Sequence, residues 1–359
     1  MDVVATPPSR RITGQTAAYF LCFALVGVLS TMLGPSLLTL SEVTGSPLGS
    51  LGLLFTVDSF GSVCGSLLAG WLLNRFATHL QAVAGLVGIT VLLLVLPTLT
   101  TPTALLPAWW ALGLCKTFLI VTVNTLLIRE RAGNVGPSMN VADFFLGLGS
   151  LVMPVVIAQS LRGTGHLQWA YWSAAVLSVV LIIWMLRMLP GPTVGADDKP
   201  RGGSGGKRVV AAVAAMLFVY VGAEISFSGW LPAYVHGRGI ASSAADAAYF
   251  ASLFWIAVTV GRLVWLPPAH RYPPQRLLLA AFAGCVLSLA LVLGAGTATP
   301  LVVAGTVGFG LCMAPIFPSA FTLLDQEVTV TGRVSAVCLC TASVGAMFFP
   351  PVVGHLVVT

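Results

Sequence analysis

Charged residues are scarce in this chain. Aspartate, glutamate, lysine and arginine make up 8% of its 359 residues and hydrophobic residues 57%, whereas soluble domains carry about 25% charged residues. A surface in contact with water cannot be built from this composition. We therefore exclude most soluble enzymes and nucleic-acid-binding proteins, and we expect a protein embedded in membrane lipid.

The motifs of a disulfide framework, a metal site and a catalytic centre are also missing. All seven cysteines fall within apolar runs, and no two of them form a Cys-x-x-Cys pair. The sequence has no HExxH or Walker motif, and its five histidines lie near the ends of apolar runs. We therefore expect neither enzymatic activity nor a metal or organic cofactor.

Eleven apolar runs are long enough to cross a bilayer as helices, which takes about 20 residues each. One connector, residues 191–208, is long and rich in glycine, proline and charge. We predict an all-α membrane protein of two helical bundles, residues 1–190 and 209–359, joined by a flexible cytoplasmic linker. The predicted spans, numbered 1 to 11, are 15–40, 48–73, 80–99, 104–128, 138–160, 167–189, 209–235, 244–267, 277–296, 299–324 and 334–357.

The basic residues predict the orientation of the spans. With the N-terminus in the cytoplasm, thirteen of the seventeen lysines and arginines lie in or beside inner loops, and only Arg162 and Arg238 lie outside. Positive charge is concentrated in the cytoplasmic loops of membrane proteins. We therefore predict a multi-pass protein of the cell membrane with a cytoplasmic N-terminus, and we expect it to be a monomer.

The two halves resemble each other. Adding 197 to the numbers of Gly113-Leu114-Cys115 gives Gly310-Leu311-Cys312, and a shift of 196 carries Gly149 onto Gly345. Spans 1, 4 and 5 thus repeat as spans 7, 10 and 11, which predicts two parallel six-helix repeats related by an axis along the membrane normal. Span 6 has no counterpart, so we expect the last helix of the second repeat to be absent from this chain.

Two such repeats resemble the major facilitator superfamily. The signature of that superfamily after span 2, G-x-L-x-D-R-x-G-R-R/K, is matched here by Gly70, Leu72 and Arg75. The chain is further similar to the branch of fucose permeases and sodium-dependent glucose transporters. The residues that carry this similarity are Tyr220 to Glu224, Gly229 to Leu231, Phe254-Trp255, Gly261-Arg262, Gly113, Asn124, Asn140, Gly147 to Gly149, Pro154 and Phe317-Pro318.

The resemblance implies a secondary active transporter that moves a small polar solute, a sugar, by alternating access. It also implies symport with a proton or a sodium ion. Two alternatives fit the same sequence: a proton-coupled exporter of drug-like or amphipathic compounds, and a channel or non-transporting sensor with the same fold. Saturable counterflow would identify a carrier, whereas binding without flux would identify a sensor.

Charged side chains inside the spans are candidates for coupling, because each costs roughly 3 kcal/mol or more in a bilayer. Asp58 in span 2 and Lys116 in span 4 lie within about 3 Å in depth, so we expect them to pair. Glu224 lies near mid-membrane in span 7, the depth at which carriers bind substrates and ions. The structural alternatives are a salt bridge that only fixes packing and a carboxyl that only hydrogen-bonds a neighbouring helix.

Polar and aromatic side chains in the spans are candidates for binding the solute, since sugars combine hydroxyl groups with apolar C–H faces. Trp230 stands out because it lies near Glu224. For each aromatic residue the alternative is packing or an interfacial belt. The predicted substrate-binding residues are Asn124, Asn140, Glu224, Phe227, Trp230, Phe254 and Trp255.

Charges near the cytoplasmic ends are candidates for gating. Asp143 in span 5 lies at a depth reached by Arg75 and Arg333, which predicts a charge-paired latch that exists in only one of the two transport states. A solvated acid at a helix N-terminus is an equal alternative. Arg262 in span 8 is a further gating candidate, with snorkelling to the interface as its alternative.

Overall fold

The computed structural model describes residues 14–72, 75–131, 135–188, 207–328 and 332–358. Within these ranges the regular secondary structure is helical and contains no strand. Ten helical segments are long and apolar enough to cross a membrane, and two helices that meet at a bend of 43° form an eleventh. This confirms the predicted all-α polytopic fold and the order of its eleven spans.

The helices follow the predicted spans closely. The predicted linker, residues 191–208, lies outside the described ranges except for Lys207 and Arg208, which already belong to the helix of span 7. A short helix, Leu266–Arg271, follows span 8. From span 1 to span 11 the helices are Gly14–Ser30 with Leu33–Thr44, Leu48–Leu51 with Leu53–Leu72, Thr78–Val95, Pro102–Glu130, Val135–Thr164, Gln168–Leu186, Lys207–Gly237, Ala244–Val264, Pro274–Gly294, Thr299–Met313 with Ile316–Glu327, and Gly332–Val358.

Spans 1 and 10 are each broken at a proline. Pro35 is the third residue of the second helix of span 1, and Pro318 is the third residue of the second helix of span 10. Proline lacks an amide hydrogen, and its ring clashes with the carbonyl four residues earlier, but it is tolerated in a first helical turn. Each proline therefore ends one helix and fits at the start of the next.

The packing of the helices repeats between the two halves. A Cβ atom on Gly65 of span 2 would collide with the backbone of Leu114 in span 4, and one on Gly261 of span 8 would collide with that of Leu311 in span 10. These two contacts are related by the shifts of 196 and 197 residues found in the sequence. Small residues allow such close approach of helices in membranes, so the glycines fix equivalent helix pairs in both halves.

Candidate functional site

A cavity of about 470 Å³ lies between the two halves, on the side where the positive-inside rule places the cytoplasm. Span 5 forms its wall in the first half, and spans 7 to 10 form its walls in the second. The lining residues are Asn140, Asp143, Phe144, Gly147, Tyr220, Thr259, Arg262, Leu263, Trp265, Leu266, Tyr272, Pro274, Leu277, Ala314, Pro315, Phe317, Pro318, Ser319 and Thr322.

Polar groups from both halves meet in this cavity. The guanidinium of Arg262 in span 8 donates a hydrogen bond of 3.3 Å from Nη1 to the backbone carbonyl of Asp143 in span 5. Asn140 lies one turn earlier on the same face of span 5 and also lines the cavity. Three of the predicted site residues therefore meet around one space, and each can reach a solute held between the halves.

Glu224 is connected to the cavity through Tyr220. Tyr220 of span 7 lines the cavity, and its hydroxyl donates a hydrogen bond of 3.1 Å to Oε1 of Glu224. The ring of Tyr220 packs 6.5 Å from that of Phe317, measured between centroids. Sequence reasoning did not select Tyr220, although its position four residues before Glu224 places the two on one helix face.

Asp58 and Lys116 form the ion pair that their depth in the membrane predicted. Nζ of Lys116 lies 2.9 Å from Oδ2 and 3.2 Å from Oδ1 of Asp58. The side chain of Lys116 is only 10% exposed and that of Asp58 only 19% exposed. The repeat relates Asp58 to Phe254 and Lys116 to Met313, both buried and apolar. The first half thus carries a buried ion pair where the second half has only apolar side chains.

On the opposite side of the membrane the two halves are in contact. Arg162 at the end of span 5 forms an ion pair with Asp246 at the start of span 8. One turn deeper, Nε2 of Gln159 donates a hydrogen bond of 2.8 Å to the hydroxyl of Tyr249. These contacts join the halves on the side away from the cavity.

A further contact between the halves depends on a proline. Pro351 in span 11 has no amide hydrogen, so the carbonyl of Met347, four residues earlier, lacks its usual helical partner. The hydroxyl of Thr56 in span 2 donates to this carbonyl at 2.8 Å. Closed contacts on one side and an open cavity on the other define an inward-facing arrangement for the predicted orientation.

A profile of the Major Facilitator Superfamily matches residues 19–350, most of the chain. The chain belongs to the major facilitator superfamily. It is a polytopic membrane transporter of this superfamily, whose members carry small-molecule solutes.

Individual proteins resemble this transporter over most of its length. The sodium-dependent glucose transporter 1 of Xenopus laevis is 25% identical over 354 residues, covering 90% of this chain and 72% of that protein. The sodium-dependent glucose transporter 1A of Mus musculus is 23% identical, covering 94% and 88%.

Solved structures show the same fold. The nucleoside transporter NupG superimposes with a TM-score of 0.71 at 18% identity, covering 96% of this chain and 90% of that one. The xylose transporter XylE from E. coli superimposes with a TM-score of 0.75 at 12% identity, covering 97% and 92%.

Three of the aromatic candidates of the transporter pack against one another within the second half. The ring centroid of Phe227 lies 5.3 Å from that of Phe254 and 4.3 Å from that of Phe309, and Trp255 packs edge-on against Phe254. Phe254 is fully buried. The rings do not line the cavity in this conformation, which corresponds to the packing alternative, and solute binding by them stays a prediction.

Trp230 lies at the contact between the halves rather than in the cavity. It is buried, its Nε1 donates a hydrogen bond of 2.7 Å to the carbonyl of Pro350, and its ring lies 6.1 Å from that of Phe55 in the first half. Both interactions belong to the closed side of the transporter. A solute in the cavity described above does not reach Trp230 in this conformation.

Asn124 is half-buried in span 4 and is not part of the cavity wall. Its Oδ1 atom is buried and has no hydrogen-bond partner in the described part of the chain. An unsatisfied buried acceptor is costly, so this amide oxygen is available to accept a hydrogen bond. Its role in binding stays a prediction.

The predicted latch is not formed between Asp143 and Arg75. The guanidinium of Arg75 lies over the ring of Trp71, 4.0 Å from its centroid, while the backbone of Asp143 is bonded by Arg262 instead. Both residues belong to the first half, and the physical reason is that the guanidinium of Arg75 stacks on Trp71 of its own span instead of reaching span 5. The side chain of the other predicted partner, Arg333, lies outside the described residues.

Proposed function

We propose that this transporter is a secondary active carrier of sugars in the cell membrane. The observation that carries the proposal is the single-sided cavity between the halves, whose polar groups come from both. The names of the similar proteins, sodium-dependent glucose transporters, support a sugar as the solute. The positive-inside pattern supports a cytoplasmic N-terminus and hence an inward-facing state.

The solute would bind between Asn140 of the first half and Arg262 and Tyr220 of the second. Amide and guanidinium N–H groups donate hydrogen bonds to sugar hydroxyls, and the carboxylate of Asp143 accepts them. A solute that contacts both halves favours the state in which they approach each other. Its binding would therefore drive closure of the cytoplasmic side and opening of the other.

Coupling would occur at Glu224, with a proton as the coupling ion and a sodium ion as the alternative. An ionised Glu224 attracts Arg262, whereas a protonated Glu224 does not. Uptake of a proton would thus remove this attraction and leave Arg262 to the solute and to the carbonyl of Asp143, which it already contacts. In this scheme Tyr220 connects Glu224 to the cavity through its hydroxyl.

A thermal-shift screen of the purified protein tests the solute class. A ligand that binds only the folded state at 100 times its Kd stabilises that state by about 2.7 kcal/mol. We expect D-glucose, D-xylose or L-fucose to raise Tm, with L-glucose as the matched control that does not. If hydrophobic drugs raise Tm and none of the sugars does, the result contradicts the proposal and favours an exporter of amphipathic compounds.

A further inference from the structure

The walls of the cavity differ in chemistry from one end to the other. The polar groups, Asn140, Asp143, Arg262 and the hydroxyl of Tyr220, lie on spans 5, 7 and 8. The other end, which we call the annex, lies between spans 8, 9 and 10 of the second half. The annex is lined by Leu263, Trp265, Leu266, Tyr272, Leu277 and Phe317.

Polar groups close to the annex already have partners within the protein. The hydroxyl of Thr259 donates to the carbonyl of Trp255 at 2.8 Å, and that of Thr322 donates to the carbonyl of Pro318 at 2.9 Å. The indole N–H of Trp265 donates to the carbonyl of Leu311 at 3.0 Å. These groups therefore offer a ligand no free donor, and apart from the hydroxyl of Tyr272 the annex presents mainly apolar carbon.

The apolar side chains of the annex are themselves uncovered. Leu263 is 60% exposed and Leu266 is 53% exposed. A free monosaccharide carries hydroxyls around the edge of its ring, and burying them against leucine without partners is unfavourable. An alkyl or aryl group attached to the sugar would instead cover this apolar surface favourably.

We propose that the solute is a glycoside, with its sugar ring at the polar end and an apolar aglycone in the annex. This inference rests on the proposed function, because it takes the polar end to hold a sugar. The annex is continuous with that end, so one molecule fills both. An acyl chain of a membrane lipid is the competing occupant.

The affinities of methyl, propyl and pentyl β-D-glucoside test the proposal. They are measured by calorimetry on the protein in lipid nanodiscs, with empty nanodiscs to subtract partitioning into lipid. Each buried CH2 group is expected to raise affinity about fourfold. Leu263→Ser and Leu266→Ser should each weaken the dependence of affinity on alkyl chain length. Both variants replace an apolar side chain of the annex wall and leave the polar end unchanged.

Leu279→Ser is the matched control, since Leu279 is 70% exposed and lies outside the cavity wall. It should retain the wild-type dependence on chain length. Affinities independent of chain length, as expected if lipid fills the annex, would overturn the proposal, as would an equal dependence in all three variants. Uptake of labelled methyl β-D-glucoside, the shortest glycoside of the series, is measured in parallel: its presence with a flat alkyl series would overturn the annex alone, and its absence would overturn the proposed function.

Discussion

Replacing Glu224 with glutamine is expected to abolish accumulation of solute driven by a pH gradient while leaving solute exchange intact. Glutamine keeps the shape of the side chain and can still accept the hydrogen bond from Tyr220, but it cannot take up a proton. With one proton per neutral solute, the wild-type protein should reach about tenfold accumulation per pH unit. The variant should stop at equal concentrations on both sides.

Proteoliposomes loaded at a different internal pH provide the measurement, and a sodium gradient in parallel identifies the coupling ion. Asp325→Asn serves as the control, because it removes an exposed carboxylate of span 10 that does not line the cavity. If Glu224 only binds solute hydroxyls, affinity falls and the pH dependence is unchanged. Wild-type affinity, exchange and accumulation in Glu224→Gln would remove this residue from the site.

Separating Asp58 from Lys116 is expected to destabilise the fold strongly. Lys116→Met leaves the mostly buried carboxylate of Asp58 without its partner, and breaking such a pair costs about 3 to 5 kcal/mol. Asp58→Asn should likewise leave the ammonium unpaired. The double variant should recover much of the loss, since it places methionine at position 116, where the second half has Met313 at the equivalent site.

A double-mutant cycle on the free energy of unfolding in detergent measures this coupling. Losses that simply add in the double variant would contradict a coupled pair. Transport by a refolded double variant then separates the two roles left open by the sequence. Full activity would assign the pair to packing, and a folded but inactive protein would assign it to transport.

The sequence predicted those features that follow from the free-energy cost of placing polar or charged groups in the membrane. The spans follow from the length of the apolar runs, and the contact of Asp58 with Lys116 follows from depth, because a buried charge in a membrane needs a partner. The equivalent contacts of Gly65 and Gly261 extend to spans 2 and 8 the shift of 196 to 197 residues that the sequence showed for spans 1, 4 and 5. Each of these inferences needs only positions along the sequence and depth in the membrane, not the faces on which the helices pack.

The walls of the cavity could not be predicted in the same way. Spans that face lipid on one side and protein on the other are apolar all round, so their sequence pattern does not show which face turns inward. From the sequence, Trp230 and Phe254 were therefore as good candidates for the cavity wall as Phe317. Of these three residues only Phe317 lines the cavity. The latch at Asp143 depended further on which transport state is present.

Counterflow of glucose in proteoliposomes tests the central claim, that this protein carries sugar by alternating access. Vesicles are loaded with unlabelled D-glucose and diluted into a trace of labelled D-glucose. A carrier should draw the label in transiently above its equilibrium level, saturably and without stimulation by L-glucose. Unsaturable entry without an overshoot, or binding of glucose without any flux, would contradict the account.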